Sequence, residues 1–225
     1  ASSAQTAQVS AELAKRLRCV RPDIACTFGL FHDCGIPLLV KRFPQTKAVL
    51  AKANMAEDRL FTDVEDAELG TNHAVVGYFL ARRWQLADFI AEAVLHHHDY
   101  SVLARADGIS ETARTLIALV VLAEHITRIH NTGDGEHEWG KAAEAACTYF
   151  NLSLGAVDDL IDDTVERALA LLGVDEAAPR RWSCSRPSAT RPSTTPRISR
   201  RRAARGTRGR RPSRAGYRPG SRRGA

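Results

Sequence analysis

From Pro179 to Ala225 the chain has no aspartate, no glutamate and no lysine, yet it holds sixteen arginines. Ser, Pro, Gly, Thr and Ala fill most of the gaps, so this stretch lacks the apolar residues a core needs and is expected to be disordered. All 26 acidic residues therefore lie earlier, against sixteen basic ones, and residues 1–178 carry a formal charge of −10. The net charge of +6 for the whole chain misdescribes that acidic body. The Arg-rich segment has two readings. As a genuine arm it would bind phosphate backbones with little sequence preference and strong salt dependence. The same composition also arises when GC-rich DNA is read out of frame, and the abrupt change at Ala178-Pro179 favours that reading. Nucleic acid is thus a partner only if the tail is genuine.

Long apolar runs are missing too. The longest uninterrupted one, Leu116 to Ala123, has eight residues, where a membrane span needs about 20. No membrane association is expected. No charged region followed by an apolar one opens the chain, so no secretory leader is read and the cytoplasm is the expected compartment. The only methionine is Met55 and the chain opens Ala-Ser-Ser, as a fragment would. Its five cysteines (Cys19, Cys26, Cys34, Cys147 and Cys184) are odd in number and form no CxxC pair. They read as reduced thiols, with Cys26 and Cys34 buried among apolar neighbours. No segment alternates apolar and polar residues on a β-branched background, and no internal repeat is visible. The class is all-α, with one helical domain over residues 1–178.

The chain divides into helical segments at its prolines and glycines. A helix over 7–18 ends near Pro22, and Asp23 caps a second over 24–33, interrupted by Gly35 and Pro37. Pro37 suits the first turn of a short helix to Phe43, and another covers 46–54. The acidic stretch 57–68 is a loop or weak helix leading to Gly70-Thr71-Asn72, an N-cap for a helix over 73–84. Further helices are expected over 87–98, 111–130 (capped by Ser110), 138–150 and from Ser153 onward, with Leu154, Val157, Leu160, Ile161, Val165, Leu169 and Leu172 at helical spacing. The segment 111–130 is apolar around most of its circumference and should be central.

Histidines fall on the inner stripes of these helices. At about 100° per residue, His73 lies within the stripe of Val76, Gly77, Leu80 and Trp84. His97 falls near the centre of the stripe of Leu86, Phe89, Ile90, Ala93 and Val94, with His96 and His98 on either side. Glu124 follows Val120 by four and Ile117 by seven, while His125 points elsewhere. His32-Asp33 closes the segment that starts at Ile24. Inward imidazoles and carboxylates from several helices are how a bundle builds a divalent-metal site, and burying them unpaired costs several kcal/mol. A hydrogen-bond network would satisfy the same groups. His130 and His137 read as solvated.

Several segments carry a family resemblance. Phe28-Gly29-Leu30-Phe31-His32-Asp33-Cys34-Gly35 resembles the GLLHDIG segment of HDOD and HD-GYP domains. Leu69-Gly70-Thr71-Asn72-His73-Ala74-Val75-Val76-Gly77 resembles their HxxxG helix start. Arg83-Trp84-Gln85-Leu86 and the stretch from Ile90 to Asp99 resemble a segment typical of HDOD domains, and Leu152 to Gly173 resembles that family's closing helix. The resemblance implies a helical bundle of the HD superfamily, N-terminally incomplete. It implies a divalent cation (Mn, Fe, Mg or Zn), weakly held or absent, at His32, Asp33, His73, His97, His98 and Glu124.

Departures from the pattern bear on activity. The superfamily's first metal-binding histidine has no counterpart in Ala1-Ser2-Ser3-Ala4-Gln5. Ile36 stands where HD-GYP enzymes have a lysine, no Gly-Tyr-Pro follows His98-Asp99, and Glu124 replaces a final aspartate. The resemblance therefore implies a bacterial signal-transduction output or scaffolding module without catalytic activity, whose partners are other signalling proteins or domains. The alternative it leaves open is a metal-dependent phosphohydrolase acting on a phosphodiester, with a nucleotide or cyclic dinucleotide as ligand.

Overall fold

The computed structural model describes residues 3–105, 107–132, 136–153, 155–160, 163, 164 and 167. The expected disorder of 179–225, and nearly all of the closing helix beyond residue 160, lie outside the described residues. The described residues are helical, with no strand among them. They form α1 (Ser3–Leu17), α2 (Pro22–Phe31), α3 (Ile36–Arg42), α4 (Thr46–Met55), α5 (Phe61–Leu69), α6 (His73–Arg83), α7 (Asp88–His96), α8 (Glu111–Thr132) and α9 (Glu136–Phe150). A single 3-10 turn, Tyr100–Leu103, follows α7.

Helix α8 is the axle of the bundle. Ala113, every residue from Leu116 to Ala123, and Ile126 are buried on it, so no single face of α8 meets solvent through its middle turns. Helices α1, α2, α7 and α9 all pack on it. Leu13 and Phe28 from α1 and α2, and Ile90 and Val94 from α7, complete this core. A satellite cluster of Val49, Ala53, Phe61 and Val64 joins α4 to α5.

Several boundaries differ from the sequence expectation. Helix α1 starts at Ser3 rather than residue 7. Asp23 does not cap α2, because Pro22 is already its first residue and Arg21 occupies the N-cap; a proline needs no partner for an N–H it lacks. The Asp23 carboxylate instead accepts from the Arg21 guanidinium at 2.7 Å. The acidic stretch is a true helix, α5, ended by Gly70 in the left-handed region at φ 71°. Asn72 caps α6 as expected, its Oδ1 accepting from the Val75 N–H at 2.9 Å, while its amide donates to Asp66 and ties α5 to α6. Ser110 likewise caps α8 by accepting from Ala113 N.

By length and composition alone, the stretch Pro22–Arg42 is apolar enough to cross a membrane, although no uninterrupted apolar run in it is as long as Leu116 to Ala123. Only a third of it is buried. It is two helices separated by the turn that carries His32 and Asp33, a charged pair no lipid-spanning segment leaves unpartnered. Cys147 is buried, but Cys26 and Cys34 are only half-buried free thiols, less enclosed than their apolar neighbours implied.

Candidate metal centre

The turn between α2 and α3 delivers the first two side chains. His32 is the C-cap of α2, its N–H still bonded to Phe28 O, and the chain then turns until Ile36 N donates to Asp33 O at 3.0 Å. Gly35 lets this turn lie flat on the start of α6, since a Cβ there would come within 2.0 Å of the His73 carbonyl oxygen. That close approach brings Asp33 and His73 together. On the opposite side, Gly29 lets α2 press on α1, where a Cβ would meet Ala7 Cα at 2.8 Å.

Asp33 sits between two groups of histidines. Its Oδ1 lies 3.4 Å from His73 Nε2 and 3.6 Å from His97 Nε2, and its Oδ2 lies 3.3 Å from His32 Nε2. His32 Nε2 is also 3.3 Å from Glu124 Oε1. Two sets of donor atoms follow, each mutually within 4.8 Å: Asp33 with His73, His97 and His98, and Asp33 with His32 and Glu124. All six residues expected from the sequence thus converge. The four imidazoles are buried, whereas Asp33 and Glu124 keep 31% of their side-chain surface exposed. His96 stays half-exposed, so of the two neighbours of His97 it is His98 that turns inward. His130 is exposed as expected, and the His137 side chain is outside the described residues.

The tautomers follow from the partners. His32 Nδ1 meets Gly29 O at 2.8 Å and His97 Nδ1 meets Val94 O at 2.7 Å. A carbonyl only accepts, so both Nδ1 atoms carry a proton; a neutral His97 then presents its lone pair at Nε2, and so would His32 once a cation displaces the proton that its Nε2 shares with Asp33 and Glu124. His73 Nδ1 donates to the Glu65 carboxylate, with the same result. Yet His73 Nε2 and His97 Nε2 lie 3.1 Å apart. Two facing lone pairs repel unless a positive charge lies between them. Two nitrogens each about 2.05 Å from a tetrahedral ion would be about 3.3 Å apart. The donor set therefore fits a divalent cation, and the outer hydrogen bonds that fix each ring are those metal-ligating histidines use.

Electrostatics agree with charge concentration here. Burial opposes ionisation of Asp33, but the His32 charge and hydrogen bond, with help from His97 and His73, hold its carboxyl well below the usual range. Burial likewise works against a charged His32, and Asp33 and Glu124 outweigh it, raising that imidazole well above its ordinary value. Burial and the neighbouring His98 depress His97.

Sequence reasoning missed two carboxylates behind the histidines. Glu65 on α5 is fully buried, and its Oε2 accepts from both the backbone N and the ring Nδ1 of His73. Its other oxygen has no protein partner. Glu138 on α9 lies 3.7 Å from His98 Nδ1 and accepts from the Tyr100 hydroxyl at 2.8 Å and from Lys141 at 2.6 Å. The Phe61 ring stacks on His98 with centroids 5.0 Å apart and meets His73 edge-on. The signal was there: Glu65 follows Phe61 by four, and Glu138 precedes Ala142 by four, each on its helix's buried stripe.

Residues 1–100 match the family model of the HDOD domain. That span includes all four site histidines and Asp33 but not Glu124 or Glu138. No curated protein matches the chain. Among solved structures, a candidate phosphohydrolase from Shewanella amazonensis SB2B is similar at 20% identity over 73% of this chain, with a TM-score of 0.53. An HDOD domain protein of unknown function from Geobacter sulfurreducens is similar at 22% identity over 77% of this chain, with a TM-score of 0.49. The chain spans 57% and 61% of their lengths. At such identities the first likeness is one of fold, and the all-helical architecture is of the HD type.

Proposed function

We propose that this chain, with its HDOD match over residues 1–100, is a bacterial, cytoplasmic signal-transduction output module built around a divalent-cation centre. The facing Nε2 atoms of His73 and His97, both rings pinned through Nδ1, carry the metal-binding part of this reading. His73, His97 and His98 with Asp33 would hold one cation, and His32 and Glu124 with the same Asp33 a second. Three imidazoles suit Zn²⁺ or Fe²⁺, and the carboxylate-rich set suits Mn²⁺ or Mg²⁺. A bound cation would supply positive charge for an anionic ligand and lower the pKa of a water.

The signalling part rests on where the ligands come from. They lie on or beside α2, α6, α7 and α8, and Glu65 and Glu138 extend the set to α5 and α9. Occupancy of one small centre would thus bias the packing of six helices against each other, which is what a module read by other signalling proteins or domains requires. The stretch before α2 offers no histidine to the cluster. Ser3 and Thr6 are what α1 presents beside it, so the second cation would be weakly held.

A metal-dependent phosphohydrolase is the second reading. It is favoured by the His32, Asp33 and Glu124 set, since three protein ligands leave a coordination position open. One experiment separates the two: measure metal content of the purified chain, then offer generic phosphodiesters and cyclic dinucleotides across several divalent metals. Bound metal without turnover is the expected result. Metal-dependent hydrolysis that disappears in a His32→Ala, Asp33→Ala double variant would overturn the signalling reading and promote the enzyme.

A further inference from the structure

Of the five large apolar side chains exposed among the described residues, four fall on neighbouring elements: Leu30 near the end of α2, Leu38 on α3, Phe79 on α6 and Trp84 at its C-cap. These elements are held against one another. Helix α3 packs on α6, the Cys34 thiol reaches Gly77 O at 3.7 Å, and the Phe31 ring meets Trp84 with centroids 5.5 Å apart. Val76, Phe79, Leu80 and Arg83 follow at i, i+3, i+4 and i+7, so they share one face of α6. Val76 and Leu80 also follow His73 by three and seven, and Gly35 lies on the His73 carbonyl, which sets this face beside α3. Val76 and Leu80 are half-buried, while Phe79 is 66% exposed and Trp84 50%. Single exposed apolar residues need no explanation, but a cluster of them marks an interaction site.

The charge around this face has one sign. Neither α3 nor α6 contains an acidic residue, although residues 1–178 carry −10. Arg82 pairs with Asp88, whereas Lys41, Arg42 and Arg83 are exposed and have no carboxylate partner among the described residues. Trp, Phe and Arg without acids is the composition of the centre of a protein interface.

That charge selects the occupant. A second copy related by a two-fold axis would set Lys41, Arg42 and Arg83 against their own counterparts. An anionic membrane would attract these cations, but its charge is spread over a plane and meets the −10 of the body as well. A single helix meets this face alone. Apolar side chains along one stripe of such a helix would seat on Leu38, Phe79 and Trp84, and carboxylates along its edges would face Lys41 and Arg83.

We infer that the outer face of α3 and α6 docks an acidic amphipathic helix of another signalling protein. The inference rests on the signalling reading and names the chemistry of its partner. The turn before α3 carries Asp33 and α6 begins with His73, so the docked helix would touch the two elements that the cation centre joins.

The test uses the purified full chain and two synthetic helical peptides of about five turns. Both carry the same leucine stripe at i, i+3, i+4 and i+7, with glutamate at the remaining charged positions of one and lysine at those of the other. Vesicles of phosphatidylglycerol form a third arm. The Arg-rich tail is common to every variant, so differences between variants read the face itself. Phe79→Ser and Arg83→Glu change exposed positions and should leave Tm unchanged. Fluorescence anisotropy should show the glutamate peptide bound to wild type, with affinity about tenfold or more lower in each variant. Lys41→Glu combined with Arg83→Glu should shift the preference toward the lysine peptide. A glutamate peptide that does not bind, or binds wild type and variants alike, overturns the inference, as does equal affinity for the two peptides. Vesicle binding that Phe79→Ser weakens more than it weakens peptide binding assigns the face to lipid and overturns the inference as well. Phosphodiester turnover, measured without any peptide, overturns the signalling reading on which the inference rests.

Discussion

Glu65 and His73 meet in complete burial, with one carboxylate oxygen taking both the backbone N–H and the ring Nδ1–H of the histidine. The ring is thereby fixed in orientation and tautomer before any cation arrives. Glu65→Ala should strand two buried donors at a cost of about 1–3 kcal/mol and weaken cation binding by about 10–100-fold. Glu65→Gln retains an acceptor oxygen and should recover part of the affinity. Thermal denaturation and metal titration of the two variants check this, and equal affinity in wild type and Glu65→Ala would remove Glu65 from the centre.

Metal should stabilise the fold in a concentration-dependent way, because a ligand that binds only the folded state adds RT ln(1 + [L]/Kd). At a hundred times Kd this is about 2.7 kcal/mol. Adding Zn²⁺ or Mn²⁺ to chelator-treated protein should raise Tm, and EDTA should reverse the rise. In His97→Ala the facing pair of Nε2 atoms is gone, so the increment should shrink or vanish. A Tm indifferent to both additions would speak against the cation centre.

Gly35→Ala should be among the most damaging single-methyl additions in the chain. Its Cβ would stand 2.0 Å from the His73 carbonyl oxygen and 2.9 Å from Gly77 N, both backbone atoms that move only with α6. Overpacking of this kind costs about 1–3 kcal/mol or more, and here it would also push Asp33 away from His73. Gly140→Ala is the control, since nothing lies within 4 Å of its Cβ position and alanine is the better helix former by about 1 kcal/mol. Chemical denaturation should show a loss for the first and a small gain for the second.

The parts of this centre that could be read from sequence are those fixed by helical period. His73 and His97 sit on inner stripes, Asn72 precedes an apolar run, and the unbroken apolar circumference of 111–130 marks α8 as the axle; each expectation needs only local geometry. Glu65 was lost because the acidic stretch around it looks solvated. Its spacing from Phe61 was the one local cue, and what buries the stripe is the packing of Phe61 and Val64 against α4, a tertiary contact. Glu138 was lost for a similar reason: its partners His98 and Tyr100 lie about forty residues earlier in the chain. The misplaced cap at Asp23 came from weighing a capping side chain above Pro22, although a proline fixes the first turn through its own φ.

The last prediction concerns pH and Glu138. Burial favours its neutral form, but the nearby His98 imidazole and the hydrogen bonds from Lys141 and Tyr100 prevail and bring its pKa from 4.5 down to about 2. A depressed carboxyl stabilises the fold fully above its unfolded pKa and loses that contribution as pH falls through the folded value. The window is therefore about pH 4.5 down to about 2. Glu138→Gln keeps the shape and removes the charge, so near neutral pH it should be less stable than wild type by an amount on the order of a few kcal/mol. Groups whose titration does not depend on Glu138 cancel in the difference, leaving Glu138 and the His98 imidazole coupled to it. The stability gap measured by denaturant titration should hold steady from pH 7 to about 5, then narrow as the wild-type carboxylate is protonated. A gap that stayed constant down to pH 3 would mean that the charge of Glu138 is not what holds α9 against His98 and Tyr100.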